Sequence, residues 1–357
     1  MIERMIRNHT AQTIQDCREV LETQNIRWES DITYSIIIYN SIDDSYTNPI
    51  ATGSFSGSVI KCVAVTPLFE GVGLAQRIIT LLLEELYERE TEHIFLFTRP
   101  KNIQSFRELG FHPTAVVDDT ITLMEQNQRG LQNFCEGLKK QAITSDRKGP
   151  VSCLVMNCNP FTNGHRYIIE QASEKSSVLY VFIVTEDSSE FPTDVRIELI
   201  RKGTQDLKNV KIFEGGEYII SRNTFPTYFL KSQKIIDQAY AQLDALIFAE
   251  HIAPALGIEK RFVGNEPFCP VTDNYNTQLA QILPQYGITL EVIDRLEYEH
   301  SAVSASEVRR LFVQQDYGQI AKIVPETTLS FLRSDRAQYI REIIQRRSSK
   351  RDEEIKS

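Results

Sequence analysis

The sequence predicts a mixed α/β chain of two domains, an α+β domain followed by an α/β domain built on a parallel sheet. Three observations carry this. Between Ile32 and Val65 strand-like runs follow one another directly, whereas after Val151 apolar runs alternate with helical patterns. Strands interleaved with helices imply a parallel sheet covered on both faces. A polar stretch at 126–149, ending in Ser145-Asp146-Arg147-Lys148-Gly149-Pro150, separates the two regions as a linker would. The expected division is therefore 1–125, a linker at 126–149, a second domain at 150–345 and a charged tail at 346–357.

In the first domain, Ile32–Tyr39, Ile50–Phe55 and Val59–Val65 are rich in β-branched and aromatic residues and lie between turn formers. A helix follows, because Leu74, Ile78, Leu81, Leu82 and Leu86 recur at spacings of three and four, with Glu84, Glu85 and Glu88 off that stripe. Ile94–Phe97 reads as a strand, Asn102–Leu109 as a short helix stopped by Gly110, and Phe111–Pro113 as the start of an extended piece. In the second domain the strand candidates are Val151–Met156, Val178–Val184, Val210–Phe213, Leu246–Phe248, Arg261–Val263 and Leu290–Ile293.

The 357 residues suit two or three domains at roughly 150 residues each. A composition 41% hydrophobic and 24% charged excludes disorder over most of the chain. The formal charge of -9 argues against a nucleic-acid binder held by bulk electrostatics. No apolar run reaches the roughly 18 to 20 residues that a membrane-spanning helix needs, and MIERMIRNHT lacks the apolar core of a secretory signal. A cytoplasmic location is expected. Six scattered cysteines form no C-x-x-C pair and are read as reduced and structural.

The richest stretch for chemistry is Asn157-Cys158-Asn159-Pro160-Phe161-Thr162-Asn163-Gly164-His165, between a strand and a helix. A strand running straight into a helix makes a crevice at the strand's carboxyl end, where unpaired helical N–H groups favour anions. Gly164 lets backbone approach phosphate oxygens, while His165 and Thr162 can donate to a phosphate as its charge grows. The plain alternative is a capped helix with a solvated histidine. A second motif, Val303-Ser304-Ala305-Ser306-Glu307-Val308-Arg309, opens a helix after the last strand candidate. Ser304 and Ser306 suit a polyphosphate as donors and Arg309 as a charged clamp.

The pair of motifs resembles the nucleotidyltransferase superfamily marked by [HT]-x-G-H and I-S-S-S-x-x-R. Asn159–His165, Phe191-Pro192-Thr193-Asp194-Val195-Arg196, Gly264–Thr272, Tyr275-Asn276 and Ser304–Arg309 narrow the resemblance to the citrate lyase ligase family. Val303 stands where Ile is usual, and Ala305 replaces the middle Ser. The resemblance implies a Rossmann-like nucleotidyltransferase domain that joins acetate to a carrier thiol of citrate lyase. ATP is consumed through acetyl-adenylate, AMP and pyrophosphate are released, and Mg²⁺ bridges phosphate oxygens without a dedicated protein metal site. It places ATP against Asn159, Pro160, Phe161, Thr162, Gly164, His165, Gly264, Glu266, Thr272, Ser304, Ser306 and Arg309, with His165, Thr162 and Arg309 catalytic. Arg196 is assigned to acetate or phosphate; Lys231 and His251 are weaker candidates. The expected partners are acetate and the acyl-carrier subunit of the citrate lyase complex, with no nucleic acid and no membrane.

In the first domain, Glu70-Gly71-Val72-Gly73-Leu74-Ala75 resembles the [QR]-x-x-G-x-[GA] turn of GNAT-type N-acetyltransferases, and Asn102–Phe111 resembles that family's next segment. A GNAT-like domain would hold a diphosphate at Gly71 and Gly73. Glu70 stands where Gln or Arg is usual and sets a negative charge beside that anion. The domain is read either as a retained fold without catalysis or as a groove for the carrier's prosthetic arm. The competing readings are a nucleotidyltransferase making a coenzyme precursor, the equivalent ligase for malonate decarboxylase, a non-catalytic adaptor, and an active N-terminal acetyltransferase.

Overall fold

The computed structural model describes the chain outside residues 41–47, 186–188, 221–224, 226, 231, 266–269, 295, 299–300 and 355–357. Side chains at 270–272, 297–298, 301–302 and 347–354 are also outside the described set. Two units emerge: Met1–Asn133 with Phe225–Leu243, and Phe134–Thr224 with Asp244–Ser357.

The first unit runs β1 (Ile2–Ile6), α1 (Ala11–Thr23), β2 (Tyr34–Tyr39), β3 (Pro49–Ser56), β4 (Val59–Val65), α2 (Leu74–Glu88), β5 (Phe95–Thr98), α3 (Ile103–Arg107), β6 (His112–Val117) and β7 (Ile121–Glu125). Helix α4 (Gly130–Lys140) follows, inside the expected linker. The sheet order is β1-β2-β3-β4-β5-β7-β6, antiparallel except for the β4–β5 pair. Strand β2 alternates between two cores, as period-two geometry requires. Ile36 and Ile38 pack with Ile78 and Leu82 of α2, while Ile37 and Tyr39 pack with Cys17 of α1. Gly53 permits the α2 contact, since a Cβ there would lie 2.3 Å from Ile78 Cγ2. The later segment Phe225–Leu243 joins this unit through donation from Tyr228 Oη to the Phe97 carbonyl (3.1 Å) and from Arg27 Nη2 to the carbonyls of Thr227 and Leu230 (both 2.9 Å).

The second unit continues with β8 (Val151–Met156), α5 (Asn163–Glu174), β9 (Val178–Ile183), α6 (Thr193–Gly203) and β10 (Val210–Glu214); after α7 (Gln233–Ile247), which lies in the first unit up to Leu243, it resumes with α8 (Ala253–Leu256), β11 (Lys260–Gly264), α9 (Pro270–Ile282) and β12 (Thr289–Ile293). A two-stranded ribbon, β13 (Glu297–Tyr298) with β14 (Ser301–Ala302), precedes α10 (Ala305–Gln314), α11 (Tyr317–Ile323), α12 (Glu326–Leu332) and α13 (Arg336–Glu354). The five-stranded sheet has the order β10-β9-β8-β11-β12 with every pair parallel. Chain order reverses beside β8, so the crevice outside the carboxyl ends of β8 and β11 is the topological switch point. Phe161, Ile169, Leu199, Phe312 and Leu332 lie in the core formed with α5, α6 and the C-terminal helices.

One expectation needs correcting. Leu246–Phe248 is helical, closing α7 and entering a single wide turn at Phe248–Ile252, because its apolar run continues an Ala-rich helical stretch. Helix α13 runs into the charged stretch at 346–357 as far as Glu354. Among the described cysteines, Cys17, Cys62, Cys153 and Cys158 are buried, and desolvation pushes every one of these thiols upward, Cys17 to about 11. None of the four is poised as a thiolate. No described helix is long and apolar enough to cross a membrane.

Candidate functional site

Strand β8 delivers the chain to a turn at 157–162 in which Cys158 takes a left-handed φ of 53° and the Asn159–Pro160 bond is cis. Thr162 then caps α5: its Oγ1 accepts from the His165 N–H at 3.3 Å. The reciprocal half of this capping box is filled by imidazole, with the Thr162 N–H donating to His165 Nδ1 at 3.1 Å. A backbone N–H can only donate, so Nδ1 must be the unprotonated nitrogen and Nε2 carries the ring proton. Phe161 stacks on the same ring at 6.1 Å and 14° and is itself fully buried. It leans on Gly203, where a Cβ would lie 2.5 Å from Phe161 Cε1. The histidine is thus oriented from both sides as a fixed N–H donor.

The second motif opens α10. Ser304 is its N-cap and accepts from the Glu307 N–H at 3.1 Å, which leaves the hydroxyl hydrogen itself to be donated. Two contacts bring this helix to the first turn, across about 140 residues of sequence. A Cβ on Gly164 would lie 3.2 Å from the Val303 carbonyl oxygen, so only glycine lets the two backbones approach without a shift. Arg309 Nη1 donates to the Asn159 carbonyl, and Nη2 donates to Ser306 Oγ at 3.2 Å. Two helix N-termini, a ring N–H, two serine hydroxyls and a guanidinium therefore meet beside the switch point. Such a set can hold a polyanion and stabilise charge that builds on it.

Arg196 departs from its expected place. It is fully buried, and its guanidinium donates to the carbonyls of Phe191 (3.0 Å), Asn157 (2.8 Å) and Val184 (2.9 Å), to Asn157 Oδ1 (2.8 Å) and to Thr193 Oγ1 (2.7 Å). The cause is topological: the carboxyl ends of two parallel strands leave carbonyls without ladder partners, and a planar fork satisfies several at once. Arg196 ties the turn after β8 to the end of β9. Sequence reasoning passed over Glu190, whose Oε2 accepts from Asn159 Nδ2 at 2.6 Å and lies 3.5 Å from Arg309 Nε. Only its position one residue before the Phe-Pro-x-x-x-Arg segment marked it in the sequence.

Gly264 ends β11 at the switch point and accepts from Asn276 Nδ2 at 3.2 Å. Glu266 and Lys231 fall outside the described residues, and Thr272 lies in α9 without a described side chain. His251, partly exposed, sits 3.9 Å from Glu250. In the first unit, Gly71 (φ 78°) and Gly73 (φ 86°) lead into α2 and help line a cavity of about 570 Å³. Glu70 there accepts from Gln24 Nε2 at 2.7 Å. Among the described residues, no group of three His, Cys, Asp or Glu side chains could hold a metal ion.

The model of the citrate lyase ligase C-terminal domain matches residues 151–332. Proteins named [citrate [pro-3S]-lyase] ligase are similar over most of the chain. That of Escherichia coli is 41% identical over 309 residues, covering 85% of this chain and 86% of the relative. The Klebsiella pneumoniae protein is 40% identical over 79% of this chain and 83% of its own length. The Haemophilus influenzae protein is 37% identical over 87% and 92%. With that C-terminal domain matched over residues 151–332 and its relatives matched along most of their length, the chain belongs to the citrate lyase ligase family.

Proposed function

We propose that this protein is an ATP-dependent ligase that acetylates the prosthetic thiol of the citrate lyase acyl carrier. The observation that carries the reading is the meeting of two capped helix N-termini, with Gly164 against the Val303 carbonyl and Arg309 on the Asn159 carbonyl. In the first step a carboxylate oxygen of acetate attacks the α-phosphorus of ATP, and the bond to pyrophosphate breaks. In the second the carrier thiol, losing its proton, attacks the acetyl carbon and AMP leaves. Neither step needs a protein nucleophile, so the enzyme's contribution is positioning and charge stabilisation. His165 Nε2–H, Thr162, Ser304 and Ser306 supply donors, and Arg309 the cation that meets the departing pyrophosphate. A divalent ion such as Mg²⁺ would enter with ATP and would neutralise triphosphate charge beside the donors of Thr162, His165, Ser304, Ser306 and Arg309. The names of the relatives favour this reading over synthesis of a coenzyme precursor or service to malonate decarboxylase.

The direct test supplies ATP, Mg²⁺, labelled acetate and the deacetylated citrate lyase complex, and asks whether label reaches the carrier subunit. Acetate-dependent exchange of labelled pyrophosphate into ATP isolates the first step, and its absence in folded protein would sink the proposal. Gly164→Ala sharpens the point, because the backbone oxygen of Val303 must give way by a few tenths of an ångström. Exchange should fall about tenfold to a hundredfold with little change in melting temperature.

The cavity of the first unit supports a role for that unit in the second step. It is large enough for a phosphopantetheine-type arm, and Gly71, Gly73 and Leu74 offer backbone N–H groups at its edge, with Lys101 nearby. Gly73→Asp should impair acetyl transfer to the carrier while pyrophosphate exchange persists, the latter also reporting that the protein remains folded. Equal loss of both steps would count against an arm site.

A further inference from the structure

We infer that Glu190 is a positioning residue that keeps Arg309 in register and yields it to the triphosphate. The inference rests on reading the two motifs as the ATP site. Its geometry is over-determined at one end. Asn159, 7% exposed, must turn its Oδ1 toward the Phe191 N–H, which donates to it at 2.9 Å, so its Nδ2 necessarily faces Glu190 Oε2 at 2.6 Å. That amide pins the carboxylate. Arg309 then meets the pinned carboxylate at 3.5 Å through Nε while Nη1 holds the Asn159 carbonyl, closing a ring of three residues around the phosphate-binding turn. Side-chain exposures of 22% for Arg309 and 17% for Glu190 leave the pair partly open to solvent.

The electrostatics of this ring oppose ground-state binding. Arg309 has to exchange a carboxylate for a phosphate, and Glu190 remains beside the incoming polyanion as a like charge. What the carboxylate contributes is a guanidinium already in place when charge passes to the leaving pyrophosphate, an interaction realised in the transition state. Removing the charge while keeping the shape should therefore lower both KM for ATP and kcat, a pattern distinct from structural damage, which raises KM as kcat falls.

Glu190→Gln keeps an acceptor for Asn159 Nδ2 and removes only the charge. Steady-state pyrophosphate exchange should show KM for ATP lower by about threefold to tenfold and kcat lower by about tenfold. Glu190→Asp restores the charge and should bring KM back toward the wild-type value. An unchanged kcat and KM in Glu190→Gln, or a raised KM, would overturn the proposal. If the Gln variant does not fold, Glu190→Ala carries the test with the same readout: a lowered KM for ATP with reduced kcat supports the role, and an unchanged or raised KM removes it. Absence of exchange in the wild-type protein would strike the ATP-site reading instead, so the two failures are distinguishable.

Discussion

His165→Ala slows acetate-dependent pyrophosphate exchange by about two to four orders of magnitude, the loss expected when a preorganised donor to a reacting phosphate is removed. The same substitution also breaks the capping box with Thr162, which by itself costs about 1 kcal/mol. His165→Gln separates the two effects. A glutamine three residues after the cap can accept from the Thr162 N–H as imidazole Nδ1 does, so helix α5 keeps its start while the Nε2 donor is lost. Melting temperature should then stay close to wild type and exchange should remain slow. Near wild-type turnover in His165→Gln would show that the ring serves only the helix.

The second large effect concerns Arg196. Replacing it with methionine strips buried donors from the carbonyls of Asn157, Val184 and Phe191, and the expected cost is about 3–5 kcal/mol, a fall of roughly 10 °C in melting temperature. Arg196→Lys retains the charge and loses the fork, so it should also destabilise, by a smaller amount. Thermal unfolding decides between this role and the one first expected. A side chain that binds acetate would leave the melting temperature alone in Arg196→Lys and raise KM for acetate, and that outcome would reverse the structural assignment.

Legibility differed from element to element for identifiable reasons. Val59–Val65 and Val151–Met156 coincide with β4 and β8 because they are apolar runs bounded by turn residues. Leu246–Phe248 is equally apolar and is helical, since so short a run has no period of its own and follows the neighbouring helix. Strand β1 stayed hidden because Glu3, Arg4 and Met5 are exposed at the sheet edge and carry no alternating pattern. The polar run expected as linker contains α4, whose Phe134 belongs to the second unit and lies 5.1 Å from Tyr218 of that same unit. Nothing local in Phe225–Leu243 foretells its place in the first unit, where the buried hydroxyl of Tyr228 bonds a strand carbonyl.

The α/β class, the family resemblance and the residue types that suit a polyphosphate were all determined by the sequence alone. Each is written in short-range patterns: apolar periodicity, cap residues, and glycines where backbone must come close. Tertiary structure decided which of those groups come together. Gly164 meets Val303, Arg309 reaches back to Asn159, Arg196 turns inward to strand-end carbonyls, and Glu190 lies beside Arg309. Direction is the missing quantity, because an arginine near a strand end has one composition whether it serves a ligand or its own backbone. Only the count of unmet carbonyls after folding settles which claim is stronger.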